Sequence, residues 1–158
     1  MADTDALVRA RRSRWRRFLD PAEPGRPDYM YLVRCPQDEP QRPPLWPELA
    51  ARRVEWAWQR YEWQRRRAQW LQDDSVPCLE VATGTEIFAE AFGCPVHRPE
   101  DQMPFALPAI RAAGQVAGLA TPEVSGSSLA YLFEMADELR RRAGPQAVVR
   151  LVDVQAPV

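Results

Sequence analysis

A possible catalytic carboxyl group lies in the stretch ATGTEIFAEAFGC, residues 82–94. Glu86 is a candidate general acid or base, because a carboxyl group in a strand-to-helix turn can exchange a proton with a substrate. Thr83 and Glu86 also have the S/T-x-x-E spacing of a capping box, in which the glutamate only closes the start of a helix. The sequence leaves both roles open. In either case we expect a short helix that ends at Gly93 and buries its apolar residues, Ile87, Phe88, Ala91 and Phe92.

A possible metal-binding pair follows directly. Cys94 and His97 are three residues apart, a spacing that zinc can use, but zinc needs three or four ligands. The other cysteines, Cys35 and Cys78, lie far away in the sequence. We therefore expect ordinary buried cysteines and a histidine in a surface loop, with no metal ion bound.

The composition excludes several classes of function. The chain has 158 residues, enough for one domain, and a net charge of −1, which does not attract nucleic acid or acidic lipid. It contains no lysine, so a lysine Schiff base and a lysine phosphate loop are excluded. Three widely spaced cysteines favour the reducing cytoplasm over a disulfide framework. We expect neither nucleic acid nor a membrane as a partner.

The first half of the chain predicts two helices around one strand. A short basic helix is predicted over residues 5–19, with its arginines on a solvated face, and a strand over YMYLVRC, residues 29–35. The longest helix is predicted over residues 47–71, where Trp56, Trp63 and Trp70 fall seven apart. This aromatic stripe could be a platform for a flat ligand, but with arginines on the opposite side it favours core packing.

The second half alternates strands and helices. Strands are predicted over VPCLEVA, residues 76–82, and AVVRLVDV, residues 147–154. A helix is predicted over residues 128–143, with an inner face of Leu129, Leu132, Phe133, Ala136 and Leu139. Between these lie the short helix of the opening stretch, an irregular proline-rich segment and a weak helical signal near residues 110–116. This alternation predicts an α/β fold with a parallel sheet.

Three segments carry a resemblance to a known family. TGTEIFAEAFGCPVHRPEDQMPFALP, SSLAYLFEMADELRRRAG and LVDVQAPV, together with the looser PGRPDYMYL, resemble the uroporphyrinogen decarboxylase superfamily. Its members are (β/α)8 barrels, and a complete barrel needs about 250 residues. The resemblance therefore implies a partial (β/α)8 barrel, its N-terminal part only: residues 1–28 as a helix and lead-in, and residues 29–158 as the first βα units.

The resemblance implies a site at the C-terminal ends of the strands. Arg34 would bind a substrate carboxylate, and Glu80 and Thr85 would contact the substrate. Glu86 and Asp153 would be the catalytic carboxylates. The position of the family's substrate-binding aspartate falls at Gly84 or Thr85, so this chain departs from the family there.

The implied activity is a carboxy-lyase reaction on a tetrapyrrole, in porphyrin metabolism. A cobalamin-dependent methyltransferase is the alternative within the family; its zinc and corrinoid ligands would lie outside this chain, as would the family's tyrosine and histidine. A third possibility is a non-catalytic fragment or subunit. It would need a partner, either a second copy or the missing half of the barrel.

Overall fold

The computed structural model describes residues 4–34, 36–123, 129–150 and 152. The α-helices of these residues are α1 (Thr4–Leu19), α2 (Ala50–Ala68), α3 (Ile87–Ala91) and α4 (Ala130–Ala143). The strands are β1 (Cys78–Leu79), β2 (Val96–His97), β3 (Phe105–Ala106) and β4 (Val148–Val149). Short 3-10 helices occupy Pro47–Leu49 and Ala113–Gly118. The predicted helices at 5–19, 47–71 and 128–143 are confirmed to within a few residues.

Strands β1 and β4 form a parallel pair, with Cys78 opposite Val148 and Leu79 opposite Val149. A parallel pair needs a crossover connection, and α4 immediately precedes β4. These pairs lie within the segments predicted as strands, 76–82 and 147–154, of which Leu151, Asp153 and Val154 lie outside the described residues. Whether this pair belongs to a (β/α)8 barrel remains a prediction.

Helix α2 holds the core together because it packs on both α4 and β1. Pro47 sits at the first turn of the preceding 3-10 helix, where its missing N–H costs nothing. The apolar side of α2 meets the fully buried Leu79 and the inner face of α4. The buried apolar side chains of this core include Val54, Trp56, Tyr61, Leu79, Val81, Ile87, Leu132, Met135 and Leu139.

The predicted strand at residues 29–35 is absent from residues 29–34, which have no regular structure, and Cys35 lies outside the described residues. The backbone N–H of Tyr31 donates to the carboxylate of Asp74 at 2.8 Å, and that of Val33 to Asp73 at 3.1 Å. Aspartate side chains thus take the place of a neighbouring strand as acceptors. Tyr31 and Val33 are exposed.

Several predicted buried positions are exposed. Phe88 on α3, Phe92 just after it, and Phe133 on α4 each expose more than 40% of their surface. On α4 the buried side chains are Leu132, Met135 and Leu139, so the helix turns Phe133 away from the core. Trp70 is 65% exposed, because α2 ends at Ala68, before it reaches that residue.

The proline-rich segment predicted to be irregular contains a short antiparallel ladder. Val96 pairs with Ala106 and His97 with Phe105. The weak helical signal near residues 110–116 corresponds to the 3-10 helix Ala113–Gly118.

Candidate functional site

Helix α2 and the segment around β1 run side by side in opposite directions. Arg67, near the C-terminus of α2, donates to the hydroxyl of Ser75, before β1, at 3.3 Å. Arg53, in the first turn of α2, donates a short hydrogen bond to the carbonyl of Ala82, after β1. The N-terminus of α2 therefore lies at the C-terminal end of β1, where an α/β fold places its ligands.

Glu86 is buried at this end of β1. It is only 4% exposed and directly precedes α3. Its side chain folds back over Gly84 so closely that a Cβ atom at that position would overlap the Glu86 carboxylate. A glycine at position 84 is therefore required by the placement of this carboxyl group. The Oε2 atom of Glu86 is buried and has no hydrogen-bond partner.

The predicted capping box is wrong. Glu86 is itself the residue that flanks the start of α3, and α3 has no side-chain cap. The position expected for the cap, Thr83, precedes the helix by four residues. The predicted end of the helix at Gly93 is confirmed, where a φ of 85° favours glycine.

Arg53 is 1% exposed and lies near enough for its charge to act on Glu86. Besides its bond to Ala82, it donates to the carbonyl of Trp46 at 3.4 Å. Its guanidinium carbon lies 5.3 Å from the centre of the Tyr131 ring on α4, a cation–π contact. Its Nε–H group is buried and has no partner.

An arginine–glutamate ion pair lies near Glu86. Glu90 follows Glu86 by one helical turn, and its carboxylate pairs with Arg98 at 2.7 Å. The Oε2 atom of Glu90 and the Nε–H group of Arg98 are buried without a partner. Among the described residues, the buried side-chain polar atoms that have no partner all belong to these four residues. We call Arg53, Glu86, Glu90 and Arg98 the buried quartet.

Burial raises the pKa of Glu86 above its usual value of 4.5. A hydrogen bond from its own backbone N–H opposes this shift, as do the charges of Arg98 and Arg53, whereas the charge of Glu90 adds to it. A carboxyl group with a raised pKa can remain protonated closer to neutral pH and act as a proton donor. The site thus combines a potential acid with the buried Arg53 and the half-buried Arg98.

The structure places the other residues predicted for the site in different surroundings. Glu80 pairs with Arg60 at 2.7 Å and with Arg150 at 3.5 Å, so it is engaged in ion pairs. Thr85 is exposed, next to Glu86. Asp153 lies outside the described residues.

Arg34 does not join Glu86. It is exposed and lines a groove of about 880 Å3 between α1, α2 and the residues that enter β1 and β4. This groove also contains Cys78 and Val148, the first residues of the paired strands. It therefore lies at the opposite end of β1 from the buried quartet.

Sequence reasoning missed Arg53, Glu90 and Arg98. A signal for Arg53 was available: Arg-x-x-Trp occurs three times in succession at seven-residue spacing, at Arg53–Trp56, Arg60–Trp63 and Arg67–Trp70. The arginines of this repeat donate hydrogen bonds to the β1 segment, at Ala82, Glu80 and Ser75. On α1, the prediction that the arginines lie on a solvated face is wrong for Arg11, which is 6% exposed. Arg98 carried no such signal.

The described residues contain no group of three or more His, Cys, Asp or Glu side chains placed to hold a metal ion. Cys78 and Cys94 are free, partly buried thiols, and burial raises the pKa of Cys78. His97 is exposed and its ring contacts that of Phe105. Within the same described residues, every helix is too short or too polar to span a bilayer.

Comparison of the chain with protein-family models, with curated proteins and with solved structures gives no match. The resemblance to the uroporphyrinogen decarboxylase superfamily remains an expectation from the sequence motifs.

Proposed function

We propose that this chain forms part of a carboxy-lyase of the uroporphyrinogen decarboxylase type, in which Glu86 supplies the proton that replaces the departing carboxyl group. The protein would be a partial (β/α)8 barrel in the cytoplasm. The observation that carries the proposal is the buried Glu86 carboxyl group with an unpartnered oxygen at the C-terminal end of β1, where the charges of Arg98 and Arg53 act on it.

The proposed reaction follows from the chemistry of the buried quartet. A substrate carboxylate leaves as carbon dioxide, and the electron pair stays on the carbon to which it was attached. That carbon then takes a proton from Glu86, which solvent later reprotonates. Since the pKa of Glu86 is raised by burial, a larger fraction of the acid is present near neutral pH than for an exposed glutamate.

An assay with uroporphyrinogen tests this function. The full chain is incubated with the substrate under anaerobic conditions, and the products are counted by the number of carboxyl groups lost, using mass spectrometry. The Glu86→Gln variant is expected to lower the rate by about 100-fold or more. The matched control is Glu134→Gln, an exposed glutamate on α4 that is expected to leave the rate unchanged. Absence of carboxyl loss in the unmodified chain would overturn the proposal.

A second candidate function is association with another chain. The apolar side chains Phe88, Phe92, Phe105 and Phe133 are each more than 40% exposed. Exposed apolar side chains mark interfaces where they form a contiguous surface. The partner would be a second copy or a chain that supplies the rest of the barrel. Sedimentation of the purified chain tests this: a concentration-dependent dimer or larger species supports it, and a monomer at all concentrations contradicts it.

Methyl transfer from methylcobalamin to a thiol, followed by absorbance, tests the methyltransferase alternative.

A further inference from the structure

We infer that the groove in which Arg34 lies binds a small molecule that joins two or more phosphate groups to a flat aromatic ring, as a nucleoside triphosphate does. We call it the arginine groove. It lies between α1, α2 and the residues that enter β1 and β4, at the opposite end of β1 from the buried quartet. The inference therefore goes beyond the proposed function and does not depend on Glu86.

The first argument is the charge of the arginine groove. Within the described residues, its lining has six arginines and a single carboxylate, that of Glu39. Two carboxylates outside the lining, Glu80 and Asp73, pair with arginines of the groove, so three positive charges remain in excess. This excess is concentrated in one place, although the whole chain has a net charge of −1. The six arginines are Arg12 and Arg16 of α1, Arg60 and Arg67 of α2, Arg150 after β4, and Arg34.

Three of these arginines have no carboxylate partner in the described part of the chain. Arg16 and Arg34 are exposed, and neither side chain makes a hydrogen bond or an ion pair with a described residue. Arg12 donates to the backbone carbonyl of Gln146 at 3.2 Å. Since Arg12 and Arg16 lie one turn apart on α1, their like charges repel each other. An anion bound between them would relieve this repulsion and supply the missing acceptors.

The second argument is the match between arginine and phosphate. The planar guanidinium group forms paired hydrogen bonds with phosphate oxygens, and such charge-assisted bonds are the strong ones. A chain of two or three phosphates carries several charges within a short span, so one ligand can contact arginines of different elements. A ligand with one charge would leave most of the excess uncompensated. The arginine groove therefore favours a polyphosphate over a monoanion.

The third argument is the apolar part of the lining. Leu19 and Leu32 line the groove although they are 70% and 63% exposed, and the half-buried ring of Trp15 lines it as well. A phosphate chain alone would leave these apolar surfaces in water. Also in the lining, the guanidinium carbon of Arg67 lies 4.9 Å from the centre of the Trp63 ring. Flat rings stack on indole and guanidinium faces alike, so an aromatic ring fits this lining.

The size of the arginine groove suits a small molecule. Its volume is about 880 Å3, and ligand pockets commonly measure about 300–1,000 Å3. Its arginines converge on one space from four parts of the chain, whereas a stripe along one helix would favour a nucleic acid strand. The arrangement therefore favours a compact ligand.

Titration calorimetry with ATP as the probe tests the inference on the full chain, without magnesium and at fixed ionic strength. The comparison ligands are inorganic triphosphate, which has the phosphates alone, adenosine, which has the ring alone, and citrate, a carboxylate of similar charge. Because stacking of the ring adds to the phosphate contacts, we expect ATP to bind about 10-fold more tightly than triphosphate or citrate. Adenosine is expected to show no measurable binding.

Matched arginine variants make the test specific. Arg16→Gln and Arg34→Gln each remove an exposed charge that has no partner among the described residues, so they should leave the Tm unchanged. Each should weaken ATP binding by about 10-fold, the usual loss for a hydrogen bond to a charged group. Arg66→Gln, at an exposed arginine of α2 outside the groove lining, should bind ATP like the unmodified chain.

Tryptophan fluorescence gives a second readout. Trp15 and Trp63 line the arginine groove, so ATP should quench part of the emission. Trp15→Phe should lose part of that quenching. Trp70→Phe, at an exposed residue outside the lining, should keep it.

Three results would overturn the inference. Absence of ATP binding, or equal binding of ATP, triphosphate and citrate, would mean that the groove at most attracts anions by charge. Equal affinities of Arg16→Gln, Arg34→Gln and Arg66→Gln for ATP would place ATP elsewhere on the chain. Tighter binding of a single-stranded DNA oligonucleotide than of ATP would assign the groove to nucleic acid. None of these results changes the proposed function, because the arginine groove contains no residue of the buried quartet.

Discussion

The two ends of strand β1 carry clusters of arginines and carboxylates that differ in how fully their polar atoms are paired. Before β1, Asp73 and Asp74 form what we call the aspartate hub. After β1 lies the buried quartet. Both clusters contain buried carboxylates, and both involve an arginine of α2, Arg67 in the first and Arg53 in the second.

In the aspartate hub, hydrogen bonds and ion pairs engage all four carboxylate oxygens. Asp73 accepts from the backbone N–H groups of Val33 and Ser75 and pairs with Arg11 at 3.5 Å. Asp74 accepts from the N–H of Tyr31 and, in addition, pairs with an arginine of α1, Arg14, at 2.8 Å. Arg11 also donates to three backbone carbonyls, those of Ala68, Leu71 and Ser75. The hub thus joins α1, the extended segment and the end of α2.

Under the proposed function, this difference would separate structural from ligand-binding use of the same residue types. A buried polar group is normally paired within the protein, and the aspartate hub follows that rule. The buried quartet departs from it at four atoms, all at the end of the strand where an α/β fold binds ligands. The predictions below test the contribution of each cluster to stability.

The largest expected effect is at the aspartate hub. Asp73→Ala removes the partner of Arg11, which is 6% exposed, and leaves that charge buried without a carboxylate. Breaking a buried ion pair from one side costs about 3–5 kcal/mol. We expect a loss of about 3 kcal/mol in the free energy of unfolding, measured by urea denaturation. Asp28→Ala, at an exposed aspartate, is the control, and an equally small effect in both variants would contradict the role of the hub.

A glycine substitution tests the packing of the buried quartet. Gly84→Ala places a methyl group where the Glu86 carboxylate lies, so the carboxylate must move. Overpacking of this kind costs about 1–3 kcal/mol in the free energy of unfolding, measured by urea denaturation. The control is Gly114→Ala, where an added Cβ meets no atom within 4 Å. Equal stability of the two variants would show that Glu86 is free to rearrange.

Sequence patterns predicted one residue of the buried quartet and none of the aspartate hub. The helices were predictable from apolar spacing and end signals, since Pro47 and Gly144 mark ends where the structure has them. The contacts of Asp73 and Asp74 were not, because they join segments about 40 residues apart and replace a predicted strand. Glu86 was singled out through its strand-to-helix turn, but its burial depends on folding back over Gly84, which no local pattern encodes.

The pH dependence of the free energy of unfolding tests whether Glu86 of the buried quartet titrates as its burial predicts. The folded-state pKa of Glu86 is raised above 4.5 by burial, so the folded protein binds more protons than the unfolded chain between 4.5 and the raised value. Stability from this group is therefore present at low pH and is lost as the pH rises through the folded-state pKa. We expect Glu86→Gln to remove this part of the decline, measured as the free energy of unfolding against pH. An identical decline in the variant would show that Glu86 titrates normally.

The smallest expected effect comes from two tryptophans of α2, Trp56 and Trp63. Their indole N–H groups are paired within the protein, as are the carboxylate oxygens of the aspartate hub. Trp56 donates to the carbonyl of Pro40 at 3.0 Å, and Trp63 to that of Gln37 at 3.2 Å, so both tie the loop before α2 to the helix. Trp56→Phe keeps most of the apolar surface and removes the donor, for an expected loss of about 1 kcal/mol in the free energy of unfolding. Trp70→Phe, at a residue that is 65% exposed, should change it by less than about 0.5 kcal/mol. A larger effect at Trp70 than at Trp56 would contradict this expectation. It would mean that Trp70 packs against a partner surface in solution, and that the hydrogen bond from Trp56 to the loop adds little to stability.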